Sequence, residues 1–244
     1  MTSPNKHKGL TGIKPVLSLL VVALFVITFV VQAFQIPSGS MEKTLLIGDY
    51  VLVDKEHFAR GGWWDRLMPY REIHRGDIVV FRYPVDPSQH FVKRVIGLPG
   101  DHIQLHNKTV FVNGAPLHET YATHAQQDFD YYRDNFPAEP DLASSMDARW
   151  RSELQRHVHH DELVVPQDEY FVLGDNRDQS WDSRYWGFVP RQAIVGQPLM
   201  VYLSVKPGPQ TEVNGVSDKL LHSGHLLAHF WQFARWDRMF HIVR

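Results

Sequence analysis

Ser38, Ser40, Lys43 and Lys93 are the residues whose types and surroundings could carry covalent chemistry in this chain. A serine hydroxyl attacks a carbonyl only when a neighbouring base takes its proton. Histidine is the usual base, and there are 15 of them, but none stands in a tight motif with an acid. Cysteine is absent, which removes a thiol nucleophile, disulfides and thiolate metal sites together. Lysine serves as a base when burial among apolar groups lowers its pKa. Lys43 completes Ser40-x-x-Lys43, a spacing that works when the serine opens a buried helix. Here Pro37 and Gly39 precede it and a Gly-broken strand pattern follows, so Lys43 reads as a solvated surface lysine. Lys93 sits in Phe91-Val-Lys-Arg-Val-Ile96, apolar on both sides. On that pattern alone it is either a buried base or a lysine on the wet face of a strand. His157-x-His159-His160 lacks acids at ligand spacing and reads as a solvated polar loop, so no metal site is expected.

Those residues need elements to hold them. No charged residue occurs from Pro15 through Met41, and Pro15 to Phe34 covers 20 residues, about the length that crosses a bilayer. A cleavable leader has a shorter apolar core of ~7–15 residues and a small-x-small site. The long run without Ala-x-Ala predicts a retained transmembrane helix over 15–35, behind a cytoplasmic segment 1–14. Lys6, Lys8 and Lys14 precede the run and no acid occurs before Glu42, which places the N-terminus in the cytoplasm and the rest outside. The expected setting is a cytoplasmic membrane, crossed once. Ser40 would then lie just beyond the anchor, at the outer membrane surface.

Beyond Ser40 the pattern is that of short strands between Gly and Pro turns. Thr44–Val53, Arg75–Pro84, His90–Asp101, Glu169–Leu173 and Ala193–Val205 read as strands, and His102–Leu117 as a hairpin with Asn113-Gly114 as a tight turn. Trp63 and Trp64 suit either lipid headgroups or packing under a loop. From Glu119 to Glu162 periodicity fades, and the block reads as an insertion or a second, less regular lobe. The tail from His225 to Phe240 mixes aromatics and arginines at helical spacing, fit to lie on a membrane or to pack on the body. With 25 basic and 27 acidic side chains spread along 244 residues, no basic field suits nucleic acid.

Four ordered segments resemble bacterial type I signal peptidases, the leader peptidases. They are Ile36-Pro-Ser-Gly-Ser-Met41, Arg75-Gly-Asp-Ile-Val-Val-Phe81, Lys93-Arg-Val-Ile-Gly-Leu-Pro-Gly-Asp101 and Gly174-Asp-Asn-Arg-Asp with Asp182-Ser-Arg-Tyr-Trp-Gly-Phe-Val-Pro190. The resemblance implies Ser40 as nucleophile and Lys93 as general base. It also implies Ser38 as the hydroxyl that joins the Ser40 N–H in an oxyanion hole, and Ser180 as the group that orients the lysine. Asp182 and Arg184 match a supporting ion pair, and Ile36, Met41, Leu45, Val80 and Val92 the lining of the substrate pocket. Two departures stand out: Lys43 replaces a frequent proline, and one anchor is visible where some members have two.

The implied fold is mainly β. An antiparallel catalytic body (36–104 and 166–206) carries an inserted β-rich lobe (105–165), with the tail 207–244 after it. The implied function is a membrane-bound serine endopeptidase that removes signal peptides from exported preproteins. It needs no metal or organic cofactor; its partners are signal peptides, the lipid bilayer and, transiently, the secretion machinery. Two rivals remain in view. A self-cleaving repressor-type peptidase shares the Ser–Lys chemistry but carries a DNA-binding domain where this chain has an apolar run. A non-catalytic anchored binding protein on the same fold would have no need of both Ser40 and Lys93.

Overall fold

The computed structural model describes residues 14–21, 31–54, 71–124, 128–139, 145–206 and 233–243. Its strands are β1 (Val31–Gln35), β2 (Asp49–Asp54), β3 (Ile78–Arg82), β4 (His90–Gly97), β5 (His102–His106), β6 (Thr109–Val112) and β7 (Ala115–Pro116). They continue with β8 (Val158–His159), β9 (Glu162–Val164), β10 (Glu169–Leu173), β11 (Val189–Pro190), β12 (Ile194–Ser204) and β13 (His241–Ile242). One sheet runs β1-β2-β12-β3-β4-β10-β11, with β13 also on β12; a second runs β7-β6-β5-β9-β8. All of these strand pairs are antiparallel, in line with the mainly β expectation.

The sequence explains the division. In the first sheet, alternation sends Val51, Val53, Ile78, Val80 and Val201 to a core shared with Ile36, Met41 and Leu45. Val79, Phe81, Val95, Tyr170 and Val172 meet Trp186 on the other side. The second sheet buries Ile103, Leu105, Val110, Val112 and Leu163 in a third cluster, which it shares with Ile96 of β4 and Phe171 and Leu173 of β10. Its hairpin turns at Asn107 and Lys108, both at positive φ.

Two regions differ from the sequence expectation. Residues 14–21 are helical, but no helix among the described residues is long and apolar enough to cross a membrane. Most of the rest of the expected span lies outside those residues. Its end, 31–35, is not helix but β1, paired in register with β2 from Val31↔Asp54 to Gln35↔Tyr50. The apolar pattern extends into an edge strand because Val, Phe and two glutamines suit a half-covered strand as well as a helix.

The block 119–162 holds a ten-residue α-helix, Ala148–His157, capped by the Asp147 carboxylate. Only Trp150 and Leu154, one turn apart, are buried on it, too thin a stripe to read as periodic. His157 ends this helix within contact of the Trp150 and Phe188 rings (centroids 6.1 and 5.2 Å) rather than in a solvated loop. Trp63 and Trp64 lie outside the described residues.

Candidate active site

Ser40 sits in a single 3₁₀ turn, Gly39–Met41, that follows β1. Thr44 and Leu45 close this turn by donating their N–H groups to the Met41 carbonyl (3.1 and 2.8 Å). From the other side, the loop after β10 grips the serine's main chain. Asn176 N–H donates to the Ser40 carbonyl (3.0 Å) and the Asn176 amide to the Gly39 carbonyl (3.3 Å). Gly174 is needed there, because a Cβ would lie 2.2 Å from Ser180 Oγ and 2.5 Å from the Ser40 carbonyl oxygen.

Lys93 projects from the middle of β4, opposite Val79 of β3. It is 4% exposed and Ser40 8%. Lys93 Nζ donates to Ser40 Oγ at 2.6 Å, and the Ser38 hydroxyl stands 3.5 Å from the same oxygen. Phe91 lies under the ammonium, 5.6 Å from Nζ to the ring centroid. Burial pushes the Lys93 pKa down from 10.5 to about 8, against the pull of Asp182 and Asp175, while Arg184 pushes it further down. Among the described residues no carboxylate pairs with Lys93. A lysine so placed loses its proton near neutral pH and can take one from the hydroxyl it touches.

The next residue along the strand, Arg94, has a carboxylate of its own. Its Nε and Nη2 each lie 2.8 Å from an oxygen of Asp175, and its guanidinium covers the Tyr121 ring at 3.9 Å. Asp175 also accepts the Thr44 hydroxyl (2.5 Å), tying the loop after Ser40 to β4. This Arg94–Asp175–Thr44 link lay beyond the reach of the sequence reading. Only the tertiary structure brings residues 81 and 131 positions from Asp175 onto its two oxygens.

Asp182 and Arg184 form a bidentate pair (2.9 and 2.8 Å) at 0% and 1% exposure. Burial opposes ionisation of Asp182, yet the Arg184 charge and hydrogen bonds outweigh it and hold the carboxyl below its usual range. Asp182 also accepts the Gly174 N–H (3.2 Å), so the pair shapes the backbone packed against Ser40. Arg184 reaches on to the carbonyls of Arg177 and Arg133. Ser180 is buried beside Gly174, where its hydroxyl is among the groups that hold Asp182 ionised; among the described residues it makes no hydrogen bond to Lys93, so the contact expected between them is not made.

A family model described as "Signal peptidase, peptidase S26" matches residues 10–203. This chain belongs to that family. It is 36% identical to a protein named signal peptidase I of Pseudomonas aeruginosa over 76% of this chain and 69% of the relative. It is 33% identical to one of Aquifex aeolicus over 77% and 82%. A crystal structure of a signal peptidase I from Enterococcus faecalis V583 matches at 31% identity, covering 52% of this chain and 97% of that one, with a TM-score of 0.39. The family and the named relatives make this chain a serine peptidase.

A groove of about 500 Å³ opens in the peptidase beside Ser40 and Lys93. Ile36, Met41, Val80 and Val92 line it. Leu45 does not: it is wholly buried in the core with Met41 and Val51. Phe34, His90, Phe91 and Trp181 line the groove instead. Phe34 and His90 approach across it (centroids 5.2 Å), one from the edge strand β1 and the other from the start of β4. Phe34 went unassigned because it was read as the end of a membrane span.

Proposed function

We propose that this peptidase cleaves signal peptides from exported preproteins with Ser40 as nucleophile and Lys93 as general base. The observation that carries the reading is the 2.6 Å contact of Lys93 Nζ with Ser40 Oγ in a nearly dry site at the edge of a groove. Neutral Lys93 takes the Ser40 proton as Oγ bonds to the scissile carbonyl carbon. The resulting ammonium then gives that proton to the leaving amine, and an acyl-enzyme remains. Lys93, neutral again, takes a proton from water, whose oxygen attacks the ester; the ammonium returns that proton to Ser40 Oγ as the ester C–O bond breaks and the new carboxyl end leaves. Ser38 Oγ–H and the Ser40 N–H stabilise the developing oxyanion. Asp182 and Arg184 act at one remove, by fixing the Gly174 loop against the serine.

The apolar run ahead of β1 supplies the membrane anchor in this reading, with its lysine-flanked start in the cytoplasm and the catalytic body outside. That arrangement puts Ser40 where a translocating chain emerges. The groove walls Ile36, Met41, Val80 and Val92 leave room for small side chains before the cut. The test is cleavage of a preprotein by the purified full chain beside its Ser40→Ala and Lys93→Ala variants. Both variants should be inactive while remaining folded. Activity retained in either would reject the dyad, and efficient cleavage after Leu or Phe would reject the small-residue groove.

A further inference from the structure

Away from the groove, the segment 233–243 carries two arginines into the body. Backbone bonds dock it on β12: Arg235 N–H to the Ser204 carbonyl (2.9 Å), Phe240 N–H to Val201 (2.7 Å) and Val243 N–H to Leu199 (3.0 Å). Its side chains converge on Asp49, which is 0% exposed at the start of β2. Arg238 Nη2 meets Asp49 Oδ2 at 2.6 Å and Nε lies 3.2 Å from the same oxygen. Ser204 Oγ donates to Asp49 Oδ1 (2.6 Å), and the Leu46 N–H donates to Oδ2 (2.8 Å). Burial raises the Asp49 pKa, but hydrogen bonds from Arg238 and Ser204 outweigh it and keep the carboxyl ionised.

The same arginines also hold the main chain between Ser40 and β2. Arg238 Nη2 donates to the Thr44 carbonyl (3.0 Å), and Arg235 Nη2 to that of Ile47 (2.6 Å). Thr44 is the residue whose N–H closes the turn of Ser40 and whose hydroxyl reaches Asp175 beside Arg94. Four linked groups therefore run from the tail to the strand of Lys93: Arg238, Thr44, Asp175 and Arg94. Gly48 sits inside this clasp, where a Cβ would lie 2.0 Å from the Val205 carbonyl oxygen.

We infer that the segment 233–243 is a clasp on the loop after Ser40, and that Arg238 is a positioning residue for the serine because it grips Asp49 and the Thr44 carbonyl at once. The inference rests on Ser40 being the nucleophile. A guanidinium fork makes both contacts together; a lysine ammonium keeps the charge beside Asp49 but cannot reproduce the fork. Displacement of a reacting group by about 1 Å can cost a hundredfold in rate.

The test is Arg238→Lys in the full chain, with Ser40→Ala alongside, assayed on a preprotein the wild type cleaves. Arg238→Lys should unfold within a few degrees of wild type, because Asp49 keeps a cation. Its kcat should fall about ten- to a hundredfold with KM within about twofold. Amide exchange should speed up at Thr44 and Leu45 while staying unchanged in the β5–β6 hairpin. A wild-type kcat, or exchange raised equally in both places, overturns the clasp. If Ser40→Ala is inactive and Arg238→Lys turns over like wild type, only the clasp falls. If Ser40→Ala still cleaves, the reading of the nucleophile falls first and the clasp falls with it.

Discussion

Around Arg184 the chain answers a buried charge with partners: both oxygens of Asp182 and the carbonyls of Arg177 and Arg133. Around Lys93 it does the reverse, offering one serine hydroxyl, an aromatic ring and apolar walls. The outcomes follow from electrostatics. Arg184 is held firmly in its charged form, whereas Lys93 is brought to about 8, where its proton leaves readily. A structural cation and a proposed base thus differ in residue type, since arginine does not give up its proton, and in whether a carboxylate lies within reach. Burial alone moves a lysine toward neutrality, and a paired carboxylate undoes that.

The largest expected effect comes from making the Lys93 region resemble the Arg184 region. Lys93→Arg keeps the charge but cannot deprotonate, so kcat/KM should drop by at least about 10³-fold. Measured turnover within tenfold of wild type would end the lysine-base reading. Asp182→Asn performs the opposite operation and strips the partner from a buried charge. It should cost about 3–5 kcal/mol in thermal or denaturant unfolding and lower activity through the Gly174 loop. A stability change under 1 kcal/mol would show that the pair is not the anchor described.

Lys93 should also cost stability where Arg184 does not. Its folded pKa lies below the ordinary 10.5, so the unfolded chain binds the extra proton between about 8 and 10.5. Stability therefore rises with pH across that window, and below it the penalty of about 3 kcal/mol is present in full. Lys93→Met should raise unfolding stability at pH 7 by about 2–3 kcal/mol while abolishing cleavage, and should flatten the alkaline rise. The rate of the wild-type enzyme should climb through one ionisation near 8. A rate that is flat from pH 6 to 10, or a Lys93→Met protein less stable than wild type, would mean the lysine carries no such cost.

The contrast between these regions was only partly written in local sequence. Apolar residues flanking Lys93 hinted at burial, and the short apolar runs of β3, β4 and β10 between turn residues announced the sheet. The ordered blocks around Ser40 and Asp182 carried the family. What escaped depends on contacts distant in the chain. The Arg94–Asp175–Thr44 link and the clasp on Asp49 join segments 81 to 189 positions apart, and no periodicity records such meetings. Leu45 is a different case: the resemblance alone put it in the pocket wall, and an apolar residue so close to the groove packs in the core beneath it instead. The helix Ala148–His157 was hidden because its partner surface is supplied by Phe188 and other residues from outside its block.

The smallest effect expected tests the one local departure from the family beside the nucleophile. Lys43, where proline is frequent, has a φ of 80°, in the left-handed region that glycine enters freely. Proline is fixed near −65° and cannot adopt it. The side chain is exposed, so nothing but the backbone is at stake. Lys43→Gly should relieve the steric cost of the left-handed residue, offset in part by glycine's greater freedom when unfolded, for a gain of up to about 1 kcal/mol with kcat unchanged. Lys43→Pro should instead force the turn open, weaken the Thr44 and Leu45 bonds to the Met41 carbonyl, and lower kcat more than it lowers the unfolding temperature. The two substitutions thus move in opposite directions from one dihedral angle. If proline proves silent and glycine destabilises, the loop after Ser40 follows a different path, and the support it gives the serine must be sought in Asn176 and Gly174 alone.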